Sequence, residues 1–245
     1  MKSRSFQLDN EWNMIHYPDR PKGFGILIIG DERHFVDEKS SFWIQNEGKA
    51  AFITALQEAG YTIFYSNLYG RHWGSDAAVK LAKRLYEYVF RTEIMNRKIH
   101  LIAEGMGALA AMKLFKEMEE DLRSVVLLNP VLSLKEQLLT EKEHVFFYKR
   151  MLKELSRSYG IEKGQVLEKI QAMEEAFQIC PRIPVKIFHV LAGRRAYKLS
   201  EGLKKITSQW KEADAPVTVR YYVPEKKPQI PFDVIKFFSK HETVL

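Results

Sequence analysis

The stretch Ile99-His-Leu-Ile-Ala-Glu-Gly-Met-Gly-Ala-Leu-Ala-Ala-Met-Lys-Leu114 decides the fold. Its opening residues, apolar apart from His100, have the composition of a buried strand. From Ala108 to Glu119 apolar side chains recur at helical spacing, so a helix follows. Only Glu104-Gly105-Met106-Gly107 lies between the two, which forces a sharp strand-to-helix corner. Small residues suit such a corner, because the turn is strained and the helix must pack tightly on the sheet.

The same alternation extends in both directions. Upstream, Gly25-Ile-Leu-Ile-Ile-Gly30 and Tyr61-Thr-Ile-Phe-Tyr65 read as strands, with helices predicted over Asn46–Gly60 and residues 76–91. Downstream, Ser124-Val-Val-Leu-Leu128 is a strand ending at Asn129-Pro130. Strands over Val185–Leu191 and Val217–Val223 then alternate with helices over Ser200–Ala213 and Phe232–Lys240. This order implies right-handed crossovers and an α/β fold with a mostly parallel, doubly wound sheet. Phe6–Leu8 and Trp12–His16 are expected to form an antiparallel edge. Residues 131–178 break the rhythm: they are helical, with eight basic and eight acidic side chains. They are expected to form a helical cap insertion within a single domain, 1–245. Val145, Phe146, Phe147, Met151, Leu152 and Leu155 would form the core of that insertion.

Composition narrows the function classes. Of 245 residues, 46% are hydrophobic and 12% aromatic, which excludes a disordered or fibrous chain. No apolar run reaches the ~18 residues of a membrane span, and residues 1–25 lack the apolar stretch of a secretory leader. Cys180 is the only cysteine, which excludes an internal disulfide and a multi-cysteine metal site and fits a reducing compartment. It reads as a buried linker thiol. A cytoplasmic location with no membrane partner is expected. The net charge of +7 is confined to residues 181–245, which hold 13 basic and 6 acidic side chains, whereas residues 1–180 hold 25 of each. No aromatic platform or finger spacing accompanies this charge, so no nucleic-acid partner is expected.

At the corner the chain resembles the α/β-hydrolase superfamily, whose nucleophile elbow G-x-S-x-G stands here as Ala103-Glu104-Gly105-Met106-Gly107. Three further segments resemble the family in order. Ile29-Gly30 stands at the oxyanion loop, and Asn67-Leu-Tyr-Gly70 through Gly74-Ser75 matches the stretch after the next strand. Pro184-Val-Lys-Ile-Phe-His189 is similar to the strand that delivers the catalytic acid. The resemblance spans residues 20–240 and implies a serine-hydrolase fold. The chemistry departs from it. The nucleophile position is Gly105, the acid position falls at Gly193, the alternative acid site holds Asn129, and the histidine loop Pro224-Glu-Lys-Lys-Pro228 offers Lys227. Nucleophile, base and orienter act as a unit, so the loss of all three predicts no catalytic residues and a degenerate elbow.

The oxyanion donors implied by the resemblance are the N–H groups of Met106 and of the residue after Gly30, which is Asp31. Carboxylates at Asp31 and Glu104 oppose an oxyanion there unless neutralised, and Arg194 and Arg195 are the expected partners. Arg194, Arg195 and Lys227 could alternatively aim at an anionic ligand on the helix N-terminus. His34 and His72 follow the first two parallel strands and are candidate ligand-binding residues, while His100 and His189 belong to the sheet. No metal site and no cofactor are expected. The resulting expectation is a protein that binds a small anionic or acyl-bearing molecule, or a protein partner. The alternative is an active ester or thioester hydrolase using displaced groups among His34, His72, Glu104, Ser66 and Ser75.

Overall fold

Eight strands hydrogen-bond into one sheet in the order β1-β2-β4-β3-β5-β6-β7-β8. They span Lys2–Leu8 (β1), Glu11–Tyr17 (β2), Gly25–Ile29 (β3), Thr62–Ser66 (β4), Ile99–Glu104 (β5), Leu122–Leu128 (β6), Val185–Val190 (β7) and Val217–Tyr222 (β8). The strand β2 pairs antiparallel with β1 and β4, and every other pairing is parallel. This computed structural model describes residues 2–242, except for the side chains of Ala176, Arg194, Arg195 and Lys198.

Nine α-helices connect the strands among the described residues: Phe42–Gln45 (α1), Glu47–Glu58 (α2), Asp76–Thr92 (α3), Gly107–Glu117 (α4), Leu134–Glu141 (α5), Val145–Tyr159 (α6), Val166–Ala172 (α7), Gly193–Glu212 (α8) and Ile230–Ser239 (α9). Because successive strand residues point to opposite faces, β3 sends Leu27 and Ile29 toward α3, α4 and α8, and Ile26 and Ile28 toward α2 and α9. Both sets are fully buried, which is why the strand reads as a continuous apolar run. Burying each such side chain contributes about 1.5–3 kcal/mol.

Three sequence expectations are corrected. The helix α8 begins at Gly193, seven residues before Ser200, so β7 passes into it through Leu191 and Ala192 alone. Arg194–Leu199 holds strong helix formers and no proline, and the helix takes up the segment expected to be an acid loop. Helices do form within 131–178, and Leu134, Leu138, Met151, Leu155, Val166 and Ile170 pack there with Trp73, Met106 and Leu109. Val145, Phe146 and Phe147, however, are exposed, Phe146 by 74%. At 100° per residue Phe146 stands on the far side of α6 from Met151 and Leu155, and Phe147 belongs to its overhanging first turn. Cys180 is exposed as well, not buried. No helix among the described residues is long and apolar enough to cross a membrane.

The seating of α4 depends on Gly107, where a Cβ would come within 2.5 Å of the Ile29 carbonyl oxygen and 2.8 Å of that of Gly30. Gly107→Ala is therefore expected to destabilise the fold by about 1–3 kcal/mol, because backbone cannot yield as a flexible side chain can. Urea unfolding measures this, and an unchanged midpoint would show that α4 can shift off the sheet freely.

Candidate functional site

The corner between β5 and α4 is built by backbone bonds to the end of β6. Gly105 N–H donates to the Leu128 carbonyl at 3.0 Å, and Val131 N–H donates to the Gly105 carbonyl at 2.9 Å. Gly105 itself sits at φ +53°, left-handed backbone that an L side chain rarely adopts. The corner that the resemblance assigns to a nucleophile is thus formed by a glycine, without a side chain.

Asp31 fills the space in front of it. A Cβ on Gly105 would overlap the Asp31 carboxyl group, and Asp31 Oδ1 accepts the Met106 N–H at 2.9 Å. That N–H is the donor which the resemblance assigns to an oxyanion. Burial pushes the Asp31 pKa up; the Met106 bond partly opposes this, and nearby Glu104 adds to the rise. The helix N-terminus expected to attract an external anion already holds an internal one. Gly30, the other oxyanion-loop position, is covered by the His34 ring, which a Cβ there would overlap.

Glu104 does not wait for an arginine. Lys49, from the first turn of α2, donates to Glu104 Oε1 at 2.5 Å while its ammonium lies 4.7 Å from the Trp43 ring centroid. No spacing signal in the sequence links residues 49 and 104. The side chains of Arg194 and Arg195 lie outside the described residues, so neither expected pairing of theirs is described. Gly193 opens α8 at φ +73°, and Lys227 is exposed in the short 3-10 helix Pro224–Gln229. At the alternative acid site, Asn129 Oδ1 accepts the Val190 N–H at 2.7 Å, so this side chain joins β6 to β7.

His34 and His72 are buried and engaged by the fold. Trp43 Nε1–H donates to His34 Nδ1 at 2.9 Å, and His34 Nε2–H donates to the Ser66 carbonyl at 2.8 Å, which fixes a neutral ring. His72 Nδ1 accepts the Gly74 N–H at 3.1 Å. Burial brings the two rings down to about 4 and about 3. The Ser66 hydroxyl accepts the Leu68 N–H, and Ser75 is buried at the start of α3. A hydrogen-bonded chain with no signature in the sequence runs nearby: His16 Nε2 lies 2.6 Å from the Tyr65 hydroxyl, which is 2.7 Å from Ser41 Oγ. All three side chains are fully buried. Among the described residues, no three His, Cys, Asp or Glu side chains are grouped to hold a metal ion.

An ionic network joins α6 to the loop after β3. Arg150 donates to Glu32 Oε2 at 3.1 Å and lies 3.3 Å from Glu154, which also pairs with Arg71 and accepts the Trp73 indole N–H at 2.9 Å. Tyr159 completes it with a 2.7 Å bond to the Trp73 carbonyl. The open space lies to one side. A cleft of about 340 Å³ between α4 and residues 134–179 is lined by Leu109, Leu134, Ile170 and Met173, and its charged groups are Lys113, Lys116 and Lys135 with Asp76, Glu117, Glu174 and Glu175. Gly105, Met106 and Asp31 are not part of its wall.

Solved structures resemble this arrangement over almost the whole chain. Est1E from Butyrivibrio proteoclasticus matches with a TM-score of 0.68 at 12% identity, covering 98% of each chain. An esterase from the bacterial hormone-sensitive lipase family matches at 0.64 and 12%, covering 98% of this chain and 84% of its own. The thioesterase domain from the curacin biosynthetic pathway matches at 0.56 and 10%, covering 98% and 99%. The chain has the α/β-hydrolase fold. No protein-family model matches the sequence, and no curated protein does. Identities of 10–12% carry the fold alone, so the chemistry of this hydrolase-fold chain rests on its own residues.

The buried imidazoles generate a pH prediction. His16 and His34 titrate at about 4 and His72 at about 3 when folded, against about 6.5 unfolded. Between pH 6.5 and 4 the unfolded chain therefore binds more protons, so stability falls with falling pH, by up to about 1.4 kcal/mol per pH unit for each ring. Asp31 and Glu175, raised when folded, act in the opposite direction, while His100 and His241, also lowered, add to the three rings. Urea midpoints from pH 7 to pH 4.5 should drop steeply below about 6.5. A flat profile would mean that protons reach these rings in the native state.

Proposed function

We propose that this is a catalytically degenerate α/β-hydrolase-fold protein that binds a small ligand and does not cleave it. The observation that carries the reading is the Asp31 carboxylate, which stands where a nucleophile side chain would project and takes the Met106 N–H. Losing one oxyanion donor alone typically costs a hydrolase about 10²–10³ in rate, and losing the nucleophile or base costs about 10⁶. Here the nucleophile position is glycine, the oxyanion donor is occupied, and the loop after β8 holds Lys226 and Lys227 in place of a base. The ligand site is the cleft between α4 and the helical cap α5–α7, whose apolar wall suits a molecule with an apolar body and whose three lysines and four carboxylates supply polar contacts of both signs.

The second reading is an active ester or thioester hydrolase using displaced residues, and one observation favours it: Asp31 puts a carboxylate at the elbow. For Asp31 to attack an acyl group, however, the developing oxyanion needs the N–H that Asp31 itself holds. His34 and His72 cannot act as bases while Trp43 and Gly74 N–H groups occupy their Nδ1 lone pairs.

A fluorophosphonate serine-hydrolase probe and p-nitrophenyl ester turnover separate the two readings, with no labelling and no turnover above background expected. Native mass spectrometry of the purified protein should instead find a retained small molecule, and Met173→Trp, which fills the cleft, should release it. Gly105→Ser should lower stability through left-handed strain and overlap with Asp31, by about 1–3 kcal/mol, without creating esterase activity. Asp31→Gly combined with Gly105→Ser should restore room but still no turnover, because no base is placed to activate the hydroxyl. Turnover in that double variant would sink the degenerate reading.

A further inference from the structure

The exposed aromatic tip of α6 lies outside the elbow chemistry. Val145, Phe146 and Phe147 are 65%, 74% and 44% exposed, and Leu139 at the end of α5 is 58% exposed. The two Phe rings meet edge to face at 5.6 Å, so they shield each other, but the fold does not cover them. Contiguous exposed apolar side chains of this kind mark an interaction surface.

The rest of the outer face is cationic. Phe146, Lys149, Lys153 and Arg157 fall within about 60° of one line along the helix, and all four are exposed. The single acid of α6, Glu154, is turned aside and consumed by Arg71, Arg150 and the Trp73 indole. Lys142 adds a further exposed cation beside the tip, where Glu143 is the exposed acid. From 139 to 160, four exposed cations thus stand against one exposed carboxylate.

We propose that this face docks the protein peripherally on an anionic lipid surface, with Val145 and Phe146 entering the acyl boundary and Lys149, Lys153 and Arg157 meeting the headgroups. The inference is independent of the elbow reading and departs from the sequence-level expectation of no membrane partner. The residue types choose lipid over an acidic protein. Protein interfaces favour aromatic residues and Arg and are depleted in Lys. The Phe side chains would suit either partner, but the cations of this face are mostly flexible lysines, which suit a fluid surface whose charge is averaged over many headgroups.

The test is flotation of the full chain with phosphatidylcholine vesicles, with or without about 30 mol% phosphatidylglycerol. Binding is expected only with the anionic lipid, and it should fall sharply when salt rises from about 0.05 to 0.5 M, as screening shortens the reach of the charges. Phe146→Ser and the pair Lys149→Glu, Lys153→Glu should each weaken binding roughly tenfold or more at unchanged Tm, since these side chains support no core. Three results would overturn the proposal. One is no flotation with anionic vesicles. Another is flotation that both variants retain, which places binding on the basic surface of 181–245. The third is a concentration-dependent oligomer that Phe146→Ser dissolves, which makes a second copy the occupant.

Discussion

The bond from Met106 N–H to the Asp31 carboxylate links the two halves of the sheet's functional edge. It depends on how closely the end of β3 approaches the start of α4, and glycines permit that approach. Gly107 lets the helix meet the Ile29 carbonyl, and Gly105 leaves the room that Asp31 occupies. The helix α4 has no capping side chain of its own, since its N-cap is Met106. Asp31 caps it from the loop after a distant strand, accepting one of the orphan donors and placing negative charge at the positive end of the helix dipole. The bond offsets part of the cost of burying the Asp31 carboxylate, whose pKa stays raised in the fold.

Neighbouring charges accommodate the Asp31 carboxylate. Asp31 raises the density of negative charge around Glu104, and Lys49 neutralises Glu104 from α2 while resting on the Trp43 face. Trp43 also holds His34 in its neutral form, and His34 covers Gly30. The oxyanion loop, the α2 lysine and the elbow are therefore one interlocked polar unit. Its members satisfy one another.

The fold was legible because its signals are local. Buried parallel strands are short apolar runs, and α2, α3 and α4 announce themselves by spacing. The glycine corner at Gly105 marks the strand-to-helix turn. The lack of a side chain at the Gly105 corner was legible for the same reason, being a single residue. The group that fills the space in front of it was not. Asp31 was recognisable as a carboxylate on the oxyanion loop, but its seat depends on the distance between two elements 75 residues apart in sequence. The Lys49–Glu104 pair and the Glu32–Arg150–Glu154–Arg71 network are likewise long-range. The start of α8 differs from expectation for another reason: the family resemblance places a loop at Gly193, against the helix propensity of Arg194–Leu199.

The ionic network gives the helical segment a different energetic character from the sheet beneath it. The sheet is fixed by continuous apolar contact, whereas α6 is held at the elbow end by Arg150, Glu154 and Arg71, with side chains 12–37% exposed. Such pairs contribute modestly and weaken with salt, so the segment's apolar contacts through Met151 and Leu155 onto Trp73, Met106 and Leu109 must supply most of its attachment. The charges then set register more than strength, because Glu154 accepts from Arg71 and the Trp73 indole on the loop after β4 and forms an ion pair with Arg150 on α6 itself. The segment thus has its own apolar cluster, distinct from the two that pack the faces of the sheet, and is registered by screened ions. Of the elements around the cleft, α5–α7 is therefore the side whose movement would change its volume, and α4, sealed to β3 by backbone contact at Gly107, is the side that stays.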